Sequence, residues 1–174
     1  MTNETQLARF ERLVMPHVGS AYNLARWLTG STHDAEDVVQ EASLRALAAM
    51  ENFRGGDPRA WLLTIVRNTC FTWMRRDQTR AAEPLDEQAH DMDSPALTPD
   101  AALLQAADTQ MVRQAIESLP MEYREVLVLR ELEGFSYKEI AAAAKLPVGT
   151  VMSRLARARH RLQQALADKV VEEA

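Results

Sequence analysis

The sequence predicts an all-α protein built from two small helical domains, the second of which is a helix-turn-helix. Apolar residues recur at three- and four-residue spacing along most of the chain, which is the period of an amphipathic helix. No segment has the strict alternation of a half-buried strand. A proline- and acid-rich stretch, residues 81–99, lacks the helical period and is predicted to be a flexible acidic linker. The predicted domains are therefore residues 1–80 and 100–170.

The N-terminal domain should begin with two helices. The first pattern runs from about residue 6 to 28, and Pro16 should kink or split it because proline has no N–H to donate. Gly30 should end this helix. Thr32 or Asp34 should cap the second helix, at about residues 33–51. The residues expected on its inward side are Val38, Val39, Ala42, Ala46, Leu47 and Met50.

A loop should separate the second helix from the third. Residues 52–57 contain the pair Gly55-Gly56, which breaks the helical period and indicates flexibility. Asp57 should cap the third helix, and Pro58 should be its first residue, where the missing N–H costs nothing. This helix should run to about Thr79. The residues expected on its inward side are Trp61, Leu62, Ile65, Val66 and Thr69.

The C-terminal domain should contain two helices and then the helix-turn-helix. Helix resumes near Asp100, and Pro120 opens another helix that Gly134 should end. Ser136 and Glu139 form a capping box that starts the next helix. Its inward residues should be Tyr137, Ile140, Ala141 and Ala144. After the corner Lys145-Leu146-Pro147, the last helix should bury Val148, Val151, Leu155, Ala158 and Leu162. The tail after residue 167 should fray.

The last helix carries a basic outer face. No acidic residue occurs between positions 145 and 163, and Thr150 and Ser153 lie near the helix start, where a recognition helix approaches base edges. The basic residues are Lys145, Arg154, Arg157, Arg159 and Arg161. A helical hairpin with a solvated arginine face is the alternative interpretation. The absence of opposite charges argues against it, because i,i+4 pairing within the stretch cannot account for the arginines. The pattern therefore favours DNA binding.

Charge is distributed unevenly along the chain, although its net value is −5. Residues 59–80 contain five arginines against one aspartate, whereas residues 31–57 contain six acids against two arginines. Alternating patches of opposite sign suit a protein that binds DNA at two places and binds something else as well.

Neither a catalytic centre nor a metal site is indicated. The four histidines are scattered, and His33-Asp34 lacks the further histidines that a metal phosphohydrolase needs. No glycine-rich phosphate loop is present. The single cysteine, Cys70, excludes an internal disulfide and indicates a reducing compartment. The chain has neither a signal pattern nor a run of membrane-spanning length. We therefore expect a cytoplasmic protein with no enzymatic activity, no cofactor and no membrane insertion.

Three motifs, in order along the chain, carry a family resemblance. They are the acidic run 34–41, the segment 61–76, and the helix-turn-helix with Leu119-Pro120 upstream. Together they resemble the extracytoplasmic-function group of bacterial RNA polymerase sigma factors. The resemblance covers nearly the whole chain outside the linker and tail. It implies a subunit that binds core RNA polymerase, directs it to promoter DNA and assists promoter opening. It also implies an anti-sigma factor as an inhibitory partner.

The resemblance further implies roles for individual residues. Those implied to bind core polymerase are Asp34, Asp37, Gln40 and Glu41. Those implied to bind the minus-ten element, the loop by capturing a flipped base, are Asn52, Phe53, Arg54, Arg59, Arg67, Asn68, Arg75 and Arg76. Those implied to bind the minus-thirty-five element are Lys145, Thr150, Met152, Ser153, Arg154, Arg157 and Arg161. Met152 stands where many relatives carry a basic residue, which would remove one DNA contact or make it apolar.

Other interpretations stay open on sequence grounds. An autonomous helix-turn-helix regulator with an N-terminal sensing or dimerisation lobe would bind duplex DNA tightly alone, whereas a sigma factor would bind it weakly until joined by core enzyme. A hydrolase built on the first three helices is a more distant alternative. Trp61 and Trp73 are more often packing residues than base-stacking platforms. Asn68 is equally suited to bracing helices and to contacting DNA. Cys70 should be a buried small hydrophobe rather than a redox residue.

Overall fold

A computed structural model describes the backbone of residues 4–80 and 99–173, and the side chains of residues 4–77 and 108–172. The described residues form eight α-helices and no strand, which confirms the all-α prediction. They divide into two compact units, one mainly from residues before 81 and one mainly from residues after 98. None of the helices so described has the length and apolarity that a membrane span requires. The predicted linker lies outside the described residues except for its last position.

Short turns connect the helices of each unit. The N-terminal unit contains α1 Gln6–Leu13, α2 Val18–Thr29, α3 Thr32–Ala48 and α4 Pro58–Arg80, with 3-10 turns at Met15–His17 and Met50–Asn52. The C-terminal unit contains α5 Pro99–Glu117, α6 Met121–Leu127, α7 Tyr137–Ala144 and α8 Val148–Glu173, with a π turn at Val128–Leu132.

Local signals set most helix ends of the N-terminal unit. Pro16 lies in the 3-10 turn between α1 and α2, so the first helical pattern is split, as predicted. Gly30 ends α2 in the left-handed conformation, with a φ of 72°. The cap of α3 is Ser31, whose hydroxyl accepts the Asp34 N–H at 3.3 Å. The prediction of Thr32 or Asp34 as the cap was wrong, because these residue types cap almost equally well and lie almost next to one another.

The core of the N-terminal unit lies among α2, α3 and α4. Of the six residues predicted to face inward on the second helix, Val39 and Leu47 are only half-buried and the other four are fully buried, although Met50 lies in the 3-10 turn after α3. The buried residues of α4 are Leu62, Leu63, Val66, Thr69 and Cys70, whereas Trp61 and Ile65 are half-buried. The buried side of α4 therefore extends beyond the predicted stripe to Leu63 and Cys70. It is wider than predicted because α4 packs against both α2 and α3.

The core of the N-terminal unit also buries the Thr69 hydroxyl and the Cys70 thiol. The Thr69 hydroxyl is satisfied, since it donates to the Ile65 carbonyl at 2.7 Å. Cys70 is fully buried, and burial raises the pKa of its thiol to about 12. A thiol that stays protonated at physiological pH is a poor nucleophile, which agrees with the prediction of a small buried hydrophobe.

The C-terminal unit contains the predicted helix-turn-helix. Ser136 and Glu139 form the capping box of α7, with N···O distances of 3.1 and 2.9 Å. Lys145 ends α7 with a φ of 56°, in the left-handed region. Of the residues predicted to face inward on α7, Ile140 and Ala144 are buried, whereas Tyr137 and Ala141 are half-buried. Ala143, which was not predicted, is buried as well.

The last helix differs from its prediction at both ends. Val148 is 39% exposed, because it is the first residue of α8 and no earlier turn covers a side chain that leans towards the N-terminus. Leu162 is half-buried. The predicted fraying after residue 167 is wrong, since α8 continues to Glu173. Lys169 ties this segment to α5, donating to the Gln114 side chain at 3.0 Å.

Candidate nucleic-acid and protein interface

The outward side of α3 divides into two faces, and the first of them contacts α4. The Trp73 indole N–H donates to the Asp34 carboxylate. Glu41 Oε1 lies 2.7 Å from Arg45 Nη2 and 3.6 Å from Arg76 Nη1. Arg45 Nη1 in turn lies 3.5 Å from the hydroxyl of the buried Thr69. Two of the four acidic or polar residues assigned to polymerase docking, Asp34 and Glu41, therefore bind α4 in this structure.

The environment of the Asp34 carboxyl disfavours its charged form. Its pKa is raised, first by partial burial and then by the nearby carboxylate of Asp77. The unfolded chain ionises this carboxyl more readily than the folded one. The resulting penalty is absent at low pH, grows as the pH rises above the ordinary aspartate value, and persists at neutral pH.

We therefore expect Asp34→Asn to stabilise the N-terminal unit slightly at pH 7. The gain should stay below ~1 kcal/mol because solvent screens a partly exposed carboxylate. The asparagine oxygen still accepts the Trp73 N–H, so the hydrogen bond is kept. Thermal unfolding at pH 7 and at about pH 3 measures the effect, which should vanish at the lower pH. Asp37→Asn is the control, since Asp37 lies 3.4 Å from a favourable partner, His33 Nε2. A lower melting temperature for Asp34→Asn at pH 7 would contradict the expectation.

The second face of α3 forms one side of an open groove whose other side is built from α1 and α2. Its centre is apolar, and Leu44 is 68% exposed there. Gln40 lies exposed at its edge. The residues lining this α3 groove are Phe10, Val18, Gly19, Tyr22, Glu36, Val39, Gln40, Ser43, Leu44 and Leu47. An apolar groove with a polar edge fits the apolar face of an amphipathic helix.

Leu44 was not among the predicted docking residues, because the docking surface was predicted from charge. The available signal was a leucine at an outward position, one helical turn after Gln40. Of the four assigned residues, only Gln40 lines the groove. The two half-buried residues Val39 and Leu47 also line it, which explains why their burial is incomplete.

The loop between α3 and α4 is anchored in its first half and exposed in its second. Phe53 is buried, with its ring centroid 5.0 Å from that of Trp61. The Phe53 side chain, which the resemblance assigned to DNA contact, is therefore packed inside the unit in this structure. Asn52 and Arg54 on either side of it are exposed. Gly55 and Gly56 turn the chain at φ values of 100° and 91°, which only glycine adopts without strain.

The start of α4 is capped as predicted and leads into a basic surface. The carboxylate of Asp57 accepts the Arg59 N–H at 3.0 Å, and Pro58 is the first helical residue. The Arg67 guanidinium lies 4.0 Å from the centroid of the Phe71 ring and donates to the Asn68 side chain at 3.1 Å. Asn68 thus braces an arginine of this surface.

Further along α4, two adjacent arginines are exposed. Arg75 and Arg76 both have solvent-accessible side chains, and Arg76 remains 59% exposed while paired with Glu41. Trp61 packs on Phe53, and Trp73 donates to Asp34, so both tryptophans have packing partners within the unit. The α4 surface can contact phosphates through Arg59, Arg67, Arg75 and Arg76.

The outer side of α8 presents most of the residues assigned to the minus-thirty-five element. Met152, Ser153, Arg157 and Arg161 are exposed, while Thr150 and Arg154 are half-buried. Lys145 is exposed at the corner before the helix. Arg161 lies over the ring of Tyr123, 4.8 Å from its centroid, which fixes its direction. Side chains that can donate to base edges or phosphates thus share one side of the helix-turn-helix.

Arg159 has an acidic partner, contrary to the expectation that the arginines of this stretch lack one. It pairs with Glu131 in the π turn Val128–Leu132, at N···O distances of 3.0 and 2.7 Å. The absence of opposite charges within residues 145–163 did not exclude a partner from another part of the unit. Arg159 was not among the residues assigned to DNA contact, and this pairing turns it towards the protein.

No group of three or more His, Cys, Asp or Glu side chains among the described residues is arranged to hold a metal ion. The candidate functional surfaces of the two units are the apolar groove along α3 and the arginine-rich surfaces of α4 and α8.

Two family models match the chain, one for each helical unit. The Sigma-70 region 2 family matches residues 13–80. The Sigma-70 region 4 family matches residues 109–162. The two matches do not favour an autonomous regulator, which would need no polymerase-binding unit.

Curated relatives agree with these matches. The chain is 35% identical over 170 residues to the ECF RNA polymerase sigma factor SigE of Mycolicibacterium smegmatis, across 95% of this chain and 64% of that protein's length. It is 36% identical over 169 residues to the RNA polymerase sigma-H factor of Pseudomonas aeruginosa, across 90% of this chain and 86% of the other.

Solved structures give the same result. The sigma factor RpoE in complex with the anti-sigma factor NepR, from Bartonella quintana, superposes with a TM-score of 0.74 at 29% identity and covers 91% of this chain and 96% of that one. CnrH in complex with the cytosolic domain of CnrY gives a TM-score of 0.63 at 30% identity, covering 94% and 90%. With both units matched in sequence and in fold, the chain belongs to the extracytoplasmic-function group of RNA polymerase sigma factors, which are transcription initiation factors.

Proposed function

We propose that the two units divide the work of a sigma factor between three surfaces. The α3 groove receives the core RNA polymerase. The α4 surface and the loop before it receive the minus-ten element, and the outer side of α8 receives the minus-thirty-five element. In this proposal residues 1–80 are the docking and opening domain, residues 81–99 the linker, and residues 100–170 the second DNA-binding domain. The chain acts by binding rather than by catalysis, in the cytoplasm where the chromosome lies.

The observation that carries this proposal is the division of α3 into two faces. One face is tied to α4 through Asp34, Glu41 and Arg45, and the other is left open as an apolar groove. A helix that is fixed to the DNA-binding helix on one side and open to a partner on the other can dock the polymerase without covering the arginines of α4. The two activities therefore need not compete for the same side chains.

The groove is a better docking surface than the acidic face assigned from the sequence. Burying an exposed leucine contributes about 1.5–3 kcal/mol, whereas an exposed ion pair contributes about 0–1 kcal/mol. Glu36 and Gln40 at the edge would add direction and specificity rather than most of the affinity.

An anti-sigma factor is part of the proposal. RpoE and CnrH, which superpose on this chain, are each solved in complex with a partner, and that of RpoE is named an anti-sigma factor. An inhibitor that filled the α3 groove would exclude the polymerase by direct competition, since both would need the same exposed apolar side chains.

Reconstitution with core RNA polymerase tests the proposed function. The purified chain should convert core enzyme into a form that starts transcription at a defined promoter in a run-off assay, and the chain alone should bind the same duplex only weakly. Core enzyme without the chain is the control. Tight duplex binding by the isolated chain, with no holoenzyme formed, would contradict the proposal and support an autonomous regulator instead.

A further inference from the structure

Arg9 of α1 lies against the beginning of the loop between α3 and α4. Its Nη1 donates to the Met50 carbonyl at 2.9 Å, and its Nη2 donates to the Phe53 carbonyl at 2.6 Å. The same guanidinium lies 5.6 Å from the centroid of the Phe53 ring. One side chain thus joins the first residue of the 3-10 turn Met50–Asn52 to the residue that follows the turn, and it fixes their separation.

Other contacts hold the same segment from different sides. The Phe53 N–H donates to the Met50 carbonyl at 3.2 Å, and the Phe53 ring packs on Trp61 of α4. Gln6, also on α1, donates to the Leu47 carbonyl at 2.5 Å. These carbonyls lie at the C-terminal end of α3, where the helix dipole favours a positive charge such as that of Arg9.

The bond to the Phe53 carbonyl has a consequence for the exposed half of the loop. That carbonyl belongs to the planar peptide unit that joins Phe53 to Arg54. Holding it sets the direction in which Arg54 leaves the core. Beyond Arg54, Gly55 and Gly56 impose little restriction of their own, so the anchored peptide plane is the nearest fixed reference for the exposed residues.

We propose that Arg9 is a positioning residue for the minus-ten loop, residues 52–57. It fixes the peptide plane from which the loop leaves, so that Asn52 and Arg54 meet a promoter base in a single geometry. This inference rests on the function proposed for the loop. Without the anchor, the loop would have to be ordered at the moment of binding, and that ordering would cost affinity.

The role requires arginine rather than any positive charge. A guanidinium is planar and offers several N–H groups in a fixed fork, so it can bond two carbonyls while lying near an aromatic ring. A lysine ammonium is a compact charge on a flexible stem and cannot reproduce that arrangement. Arg9→Lys should therefore restore only part of what Arg9→Ala loses.

The test uses the holoenzyme and a single-stranded non-template oligonucleotide that carries the minus-ten element, intact or abasic at one position at a time. For the wild type, one abasic position should weaken binding, and Asn52→Ala or Arg54→Ala should remove that sensitivity. Arg9→Ala should lower the ratio of intact to abasic affinity about tenfold, with unchanged affinity for core polymerase. Arg12→Ala is the matched control, because it removes the same charge from α1 at a side chain that pairs with Glu4 at 2.9 Å.

Three results would overturn the inference. The first is an Arg9→Ala holoenzyme with the wild-type ratio. The second is a parallel loss of melting temperature and core affinity in Arg9→Ala that Arg9→Lys restores in full, since that is the behaviour of an ordinary structural contact. The third is a wild-type holoenzyme with no sensitive position, or one that Asn52→Ala and Arg54→Ala leave unchanged. This last result would refute the function proposed for the loop, and the role of Arg9 with it.

Discussion

Leu44→Asp should lower the affinity of this sigma factor for core RNA polymerase by about one hundredfold. Leu44 is 68% exposed in the α3 groove, so the substitution exchanges one solvated side chain for another in the free protein. In the complex the same position would be covered. The transfer free energy of a leucine, about 1.5–3 kcal/mol, would be lost, and an unpaired carboxylate would be desolvated in addition. One hundredfold corresponds to about 2.7 kcal/mol, which lies within this range.

Titration of labelled protein with core enzyme measures this effect, and circular dichroism verifies that the fold is kept. Met15→Asp is the matched control, because Met15 is a 50% exposed apolar residue of the same unit that does not line the groove. Asp34→Asn should leave core affinity near the wild-type value, since that side chain faces α4. An unchanged core affinity for Leu44→Asp would place the docking surface outside the groove.

The position of Leu44 explains why the docking surface could be predicted only in part. The helical period separates the buried half of α3 from its outward half, and the fully buried residues Val38, Ala42 and Ala46 follow it. The period does not indicate which neighbouring helices lie beside the outward half. That Glu41 would meet Arg76, while Leu44 would remain uncovered, depends on how α4 and α1 pack against α3.

Most features that depend on adjacent residues were predicted correctly, with the cap of α3 as the exception. The split at Pro16, the cap at Asp57 and the capping box of Ser136 with Glu139 each involve groups within a few positions of one another. Their geometry follows from the backbone alone.

Contacts between distant positions were missed for the same physical reason. Arg159 meets Glu131 across 28 positions, Arg9 meets Phe53 across 44, and Lys169 meets Gln114 across 55. No local pattern specifies these partners, because they result from the packing of whole helices. The helical tail after residue 167 and the anchored first half of the minus-ten loop both depend on such contacts.

The second large effect is expected at Arg157 on α8. Arg157→Ala should weaken recognition of the minus-thirty-five element by about 1–3 kcal/mol if the guanidinium contacts a base edge. The Arg157 side chain is exposed and has no hydrogen bond or ion pair within the part of the chain that the structure describes. Removing it should therefore cost binding free energy and leave the stability of the unit unchanged. Holoenzyme binding to promoters with single substitutions in the minus-thirty-five element measures both the loss and its dependence on sequence.

Arg159→Ala provides the matched control for this experiment. It removes the same charge from the same helix two positions away, but from a guanidinium held by Glu131 at 2.7 Å. If Arg157 reads a base, Arg157→Ala alone should relax the preference at one promoter position. If it contacts a phosphate, binding should weaken equally on all sequences, and the dependence of log affinity on log salt should become shallower by about one. Equal and small losses for the two variants would mean that neither arginine is specially placed, and that the basic face of α8 acts only through its total charge.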